Sequence, residues 1–161
     1  YVRQGAISHE DSIGNKGKTQ AGDVQVMSAG SGVRHSEFND EDETTSLYQI
    51  WIKPNKLNVQ PRWDAKEFPK NYVDDHLDLL VGNNENAPLF IHADATIHAG
   101  KVHANKTLTH RLKRSGYLLA SSGSFSVNGV KLSKGDALEI MDIKDLEINS
   151  TEDSELLVID V

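Results

Sequence analysis

Two side chains one residue apart, His35 and Glu37 in "GDVQVMSAGSGVRHSEFND" (residues 22–40), are the first candidates for chemistry. An imidazole beside a carboxylate suits a borderline divalent metal such as Fe(II), and two more histidines would complete such a site. A carboxylate at a metal can also take a proton from a bound substrate, which makes Glu37 a candidate catalytic base. In an extended strand residues i and i+2 point the same way, so His35 and Glu37 are expected to face into a barrel while Ser36 faces out. The pair alone also reads as a surface histidine beside a surface glutamate. Its surroundings have to decide.

The elements that must position the pair are strands. From Tyr1 to Ile52 the alternating runs "YVRQGAISHED", "GDVQVMSAG" and "LYQIWIKP" are punctuated by Gly and Asn, which predicts antiparallel pairing. Lys53 to Asp75 holds Pro54, Pro61 and Pro69 and shows no sustained period, so it reads as a connector kept out of central strands. A second strand-rich block runs from "HLDLLVG" to "ELLVIDV". The two blocks resemble each other: "YVRQGAISHEDSIGN…AGDVQVM" can be laid beside "YLLASSGSFSVNG…KGDALEIM". In both, a Gly-Asp pair, Gly22-Asp23 or Gly135-Asp136, is expected to form the tight turn into the next strand. Asn128-Gly129 predicts a type I′ hairpin turn. A duplicated small β-barrel follows.

The remaining signals mostly exclude. No cysteine among 161 residues removes disulfides, thiolate metal sites and thiol nucleophiles, and is compatible with a cytoplasmic location. A net charge of -7 argues against direct binding to a nucleic acid backbone. No apolar run approaches the roughly 20 residues of a membrane helix. "EFNDEDETT" reads as a solvated loop that borders the mouth of any site. Trp51, Trp63 and Tyr48 either line a pocket or belong to a core. His9 is expected at a turn or strand end, and His92, His98, His103 and His110 as solvated or hydrogen-bonded histidines. Tyr1 opens in mid-strand, so a preceding segment is expected.

Gly22, Ser28, Ala29, Gly30, His35 and Asn39 follow the order of the second conserved motif of the cupin superfamily, with Ser28 in place of that motif's Pro and two extra residues before His35. Together with "GAISHEDSIGN" and "LYQIWIKP", this stretch closely resembles the pirin family, bacterial pirin-like bicupins above all. The resemblance implies an all-β double cupin of two jelly-roll-like β-barrels, the N-terminal one incomplete. Residues 1–60 would be the C-terminal part of a metal-type N-terminal cupin, and residues 61–161 a linker and a metal-free C-terminal cupin. It implies one divalent metal held by four ligands, iron by preference, with copper, zinc, manganese or nickel as alternatives. His35 and Glu37 match the last two ligands. The first two belong to a His-x-His upstream of the strand matching "YVRQG", and a chain with only the last two is expected to bind metal weakly and leave it hydrated.

Three functions follow from the resemblance. One is a quercetin (flavonol) dioxygenase in which Glu37 accepts the flavonol hydroxyl proton. The second is a metal-dependent regulatory module, like a transcription cofactor, that binds a protein partner. The third is an inactive, truncated pirin whose open strand edges favour a homodimer.

Overall fold

Every regular element in the computed structural model, which describes all of residues 1–161, is a β-strand. The chain divides into two compact units, Tyr1–Pro69 with Val81–Asp94, and Lys70–Leu80 with Ala95–Val161. No helix is long and apolar enough to cross a membrane.

The first unit contains β1 (Val2–Gln4), β2 (Ala6–Asp11), β3 (Lys16–Gln20), β4 (Val24–Ser28), β5 (His35–Phe38), β6 (Ser46–Leu47) and β7 (Arg62–Lys66). After β8 (Tyr72–Val73) in the second unit, β9 (Asp78–Gly82) leads back, and its end pairs in parallel with β10 (Leu89–Phe90). Three short sheets result: β3-β2-β5, β4-β7 and β1-β6, all antiparallel. β2 is the central strand of its sheet, and its first four residues, Ala6, Ile7, Ser8 and His9, are buried on both faces. Much of what this unit buries is polar: Ser8, His9, Thr19 and Asp23 all lie inside. Asp23 is satisfied there by the backbone N–H of Phe68 at 3.0 Å. The expected connector is partly a strand. Between Pro61 and Pro69 the run Arg62–Lys66 alternates Trp63 and Ala65 with three charged residues and pairs with β4 alone, which leaves proline outside any central strand.

The second unit is the more regular. β11 (Thr96–Val102), β12 (Thr107–Arg111), β13 (Gly116–Ser122), β14 (Ser124–Val127), β15 (Val130–Ser133), β16 (Ala137–Ile140), β17 (Asp145–Ser150) and β18 (Ser154–Asp160) form two sheets. One runs β9-β11-β18-β13-β16, with β8 added to β11; the other runs β12-β17-β14-β15. Alternate residues meet in a closed apolar core that includes Val102, Leu108, Leu112, Leu118, Phe125, Val127, Leu146, Ile148, Leu156 and Val158. Asn128 and Gly129 have φ of 47° and 84° and join Val127 to its partner Val130, as a type I′ turn requires.

The internal repeat extends to single hydrogen bonds. In the first unit the N–H groups of Ala21, Gly22 and Asp23 donate to the carbonyls of Gly5, Val2 and Gln20 at 2.9, 2.7 and 2.9 Å. In the second, Lys134, Gly135 and Asp136 donate to Gly123, Ala120 and Ser133, each at 2.9 Å. Gly22 and Gly135 both take positive φ, 84° and 95°, so the turn demands glycine in each copy.

Candidate metal centre

Antiparallel pairing of β2 with β5 sets His9 opposite Glu37 and Asp11 opposite His35. The nitrogen or oxygen atoms that His9, His35 and Glu37 can offer a metal lie within 4.8 Å of one another. His9 is 1% exposed, with its ring stacked on Trp63 (centroids 4.9 Å apart, planes 8° apart) and tilted against His35 at 5.5 Å. His35 and Glu37 are both exposed. β5 is an edge strand, so a small molecule can reach them from solvent.

The surroundings of His9 define the electrostatics. Its Nε2 lies 3.4 Å from Asp11 Oδ2, and its Nδ1 lies 3.5 Å from Glu37 Oε1 without meeting hydrogen-bond geometry. A neutral imidazole donates from one nitrogen only. With carboxylates on both sides, a proton given to Asp11 leaves a lone pair on Nδ1 facing a carboxylate oxygen. In that tautomer a cation placed beside Nδ1 and Glu37 would be held by both. An Asp-His pair behind a metal is also the usual means of fixing a histidine ligand's tautomer. Glu37 is held in turn by Gln25, whose side-chain amide donates to Oε1. The Gln25 carbonyl oxygen accepts from Thr19 Oγ1 at 3.1 Å and from Trp63 Nε1 at 3.2 Å.

Asp11 anchors this array. Burial acts to raise its pKa, but hydrogen bonds outweigh it: from the Asn15 side chain (2.7 Å) and backbone (2.9 Å), from His9, and from the Ile13 backbone (3.0 Å). The carboxyl is held at about 2, below its ordinary 3.8. A carboxyl depressed on folding contributes stability that is fully present above its unfolded value and lost as pH falls through its folded one. Acid titration is therefore expected to remove this contribution between about pH 4 and about pH 2. Asp11→Asn should be less stable at pH 7 and show a flatter profile in that window, measured by urea unfolding at a series of pH values.

Trp63 is the packing support. Gly17 lies under it, and a Cβ there would fall 2.3 Å from Trp63 Cη2. Gly17→Ala is expected to push the indole off His9 and weaken metal binding by roughly tenfold, the effect of disturbing a ligand's supporting shell. Calorimetric titration with Ni(II) checks this, and an unchanged affinity with an unshifted Trp63 signal would show that the stack is dispensable. The other aromatic candidates lie elsewhere: Trp51 is 88% exposed, and Tyr48 packs under the Arg3 guanidinium at 4.9 Å. The acidic loop is tied down at its start, where Asp40 accepts from Ser8 at 2.8 Å and pairs with Lys18 at 3.4 Å.

His9 is the residue that spacing misplaced: it is a buried member of the cluster, not a strand-end residue. The repeat holds the signal that finds it. Counting from Gly5 and Gly123, His9 corresponds to Val127, an inward core position. Val127 pairs with Ile148 as His9 pairs with Glu37, and the counterpart of His35 is then Leu146. Each potential donor in the first unit is thus replaced in the second by an aliphatic side chain no more than 1% exposed. One copy keeps three donors where the other keeps a dry core.

Comparison with known proteins matches two parts of the chain to two family descriptions. Residues 1–52 match the family described as Pirin, and residues 79–161 the family described as Quercetinase C-terminal cupin domain. A pirin-like protein of Caulobacter vibrioides is 46% identical over 164 residues, spanning 99% of this chain and 71% of that protein. The chain belongs to the pirin family. Another pirin-family relative, the quercetin 2,3-dioxygenase of Escherichia coli K12, is 34% identical over 164 residues, covering 100% of this chain and 70% of its own length. The crystal structure of the bacterial pirin YhhW from Escherichia coli, in complex with nickel(II), superposes with a TM-score of 0.89 at 33% identity, over 100% of this chain and 70% of that one. The all-β architecture is the pirin cupin fold, and the His-His-Glu cluster together with that nickel complex points to a divalent metal.

Proposed function

We propose that this pirin is a metal-dependent dioxygenase acting on a flavonol such as quercetin, with iron(II) as its metal. The observation that carries the reading is the convergence of His9, His35 and Glu37, whose potential donor atoms lie within 4.8 Å of one another and offer two imidazoles and a carboxylate to one cation. In this reading His35 and Glu37 are the solvent-facing donors and His9, backed by Asp11, is the buried third. When bound, the metal supplies a Lewis acid that draws substrate and O₂ to one place. The chain's own groups do the rest. Gln25 holds Glu37 Oε1 and leaves Oε2 to accept the flavonol hydroxyl proton as the substrate binds. Trp63 and Asp11 keep the His9 ring from turning away from the site. The names of the relatives support the substrate class, and the exposure of β5 supports access for a planar molecule.

Aerobic consumption of quercetin by the Fe(II)-loaded protein, with ring-opened product, is the test. Activity lost in Glu37→Ala and in His35→Ala is the expected result. No turnover with Fe(II), Cu(II) or Ni(II) would overturn the assignment of activity.

A further inference from the structure

A short polar chain stands behind Glu37. The amide nitrogen of Gln25 donates to Glu37 Oε1, while the amide oxygen accepts from Thr19 Oγ1 at 3.1 Å and from Trp63 Nε1 at 3.2 Å. A hydroxyl and an indole N–H thus meet on one carbonyl oxygen and take both of its lone pairs. A flipped amide would set its NH₂ against the indole N–H, which can only donate, and its oxygen against a carboxylate. The orientation of Gln25 is therefore fixed from behind. Strand parity brings the parts together. Gly17 and Thr19 share a face of β3; the first leaves room for the Trp63 ring, and the second, 1% exposed, aims its hydroxyl at Gln25.

The internal repeat ties this polarity to the donors. Counting from Gly22 and Gly135, Thr19 corresponds to Leu132 and Gln25 to Leu138. The pairing agrees, since Ile7 faces Thr19 across the first hairpin as Phe125 faces Leu132 across the second. Leu132 belongs to the core of the second unit and Leu138 packs against it. The fold thus accepts aliphatic side chains at both positions, and a buried hydroxyl costs stability unless it is hydrogen-bonded. The copy that keeps His9, His35 and Glu37 also keeps the two polar side chains that reach Glu37. We propose that Thr19 and Trp63 are positioning residues that act through Gln25. Each donor alone suffices to aim the Gln25 NH₂ at Glu37 Oε1, and the amide so aimed holds the carboxylate where it converges with His9 and His35. Trp63 then serves two ligands, His9 by stacking and Glu37 through its N–H. The inference rests on the metal-centre reading and is independent of the substrate.

Two readouts on the full chain test this: Ni(II) affinity by calorimetry, and the side-chain amide proton signals of Gln25 in the metal-free protein by magnetic resonance. Thr19→Val and Trp63→Phe each leave one donor in place, the phenyl ring keeping a stack on His9, and each should bind within about threefold of the parent. The double variant frees the amide. It should bind at least about tenfold more weakly, the effect of losing a ligand's supporting hydrogen bond, and the Gln25 signals should move to the shifts and fast exchange of a solvated amide. Thr19→Ser in the Trp63→Phe background should keep both affinity and signals, which a packing defect would not allow. Gln25→Leu, which installs the residue of the second copy, should match the double variant. Binding within threefold of the parent in the double variant or in Gln25→Leu would overturn the inference, as would a tenfold loss in Thr19→Val alone. Such results alongside weakened binding in Glu37→Ala would leave the metal centre standing; an unchanged affinity in Glu37→Ala would overturn both.

Discussion

Glu37→Ala should bind Ni(II) at least a hundredfold more weakly than the parent, a loss of about 2.8 kcal/mol. Glu37 is the one anionic donor in a cluster otherwise made of imidazoles. Without it the ion keeps two neutral ligands and its water shell. Glu37→Gln separates charge from shape, since the amide keeps the volume and a partner for Gln25 but cannot supply the negative oxygen. It is expected to fall close to the alanine variant. Calorimetry at pH 7 reads the affinity directly. An affinity in Glu37→Ala within threefold of the parent would mean that Glu37 is not a ligand of the bound ion. The stack of His9 on Trp63 would survive that outcome, because it depends on packing and not on the ion.

Some of this was legible in the chain before its fold. The His35-x-Glu37 spacing and the Gly-Asp and Asn-Gly turns are local, and each reports its geometry through residue chemistry: period two for a strand, positive φ for a turn. His9 was not, because what makes it a site residue is register. Nothing near His9 in sequence shows that β5 will pair antiparallel with β2 and bring Glu37 opposite it. The repeat holds that information only once Val127 is seen to be core. His98 and His103 illustrate the same limit. "HAGKVH" looks like one cluster, yet the two histidines are five residues apart and fall on opposite faces of the chain. One turns inward to His110, and the other stacks on Tyr72 at 4.8 Å. β7 escaped notice because five residues between prolines are too few for an alternation of Trp63 and Ala65 to stand out.

The second large effect belongs to the core of the second unit. Phe125→Ala is expected to cost about 3–5 kcal/mol, the range for removing a buried aromatic ring whose space does not collapse. Phe125 is 2% exposed on β14, which is hydrogen-bonded on both sides, to β15 through Leu132 and to β17 through Ser150. Neighbouring strands held in register by two ladders cannot close over the void. A loss of that size is a large part of the 5–15 kcal/mol that stabilises an ordinary domain. Phe125→Leu keeps most of the volume and should lose less than half as much. Trp51→Ala, which removes a larger ring from a position 88% exposed, should change stability by no more than about 0.5 kcal/mol. Both tryptophans, Trp51 and Trp63, lie in the first unit, so their fluorescence does not report this core. Hydrogen exchange at the amides of β13 and β18 does, and protection there should fall in Phe125→Ala. If those amides kept their protection, the aliphatic side chains that take the place of the three donors in this copy would not form the rigid, close-packed interior on which the contrast between the two units depends.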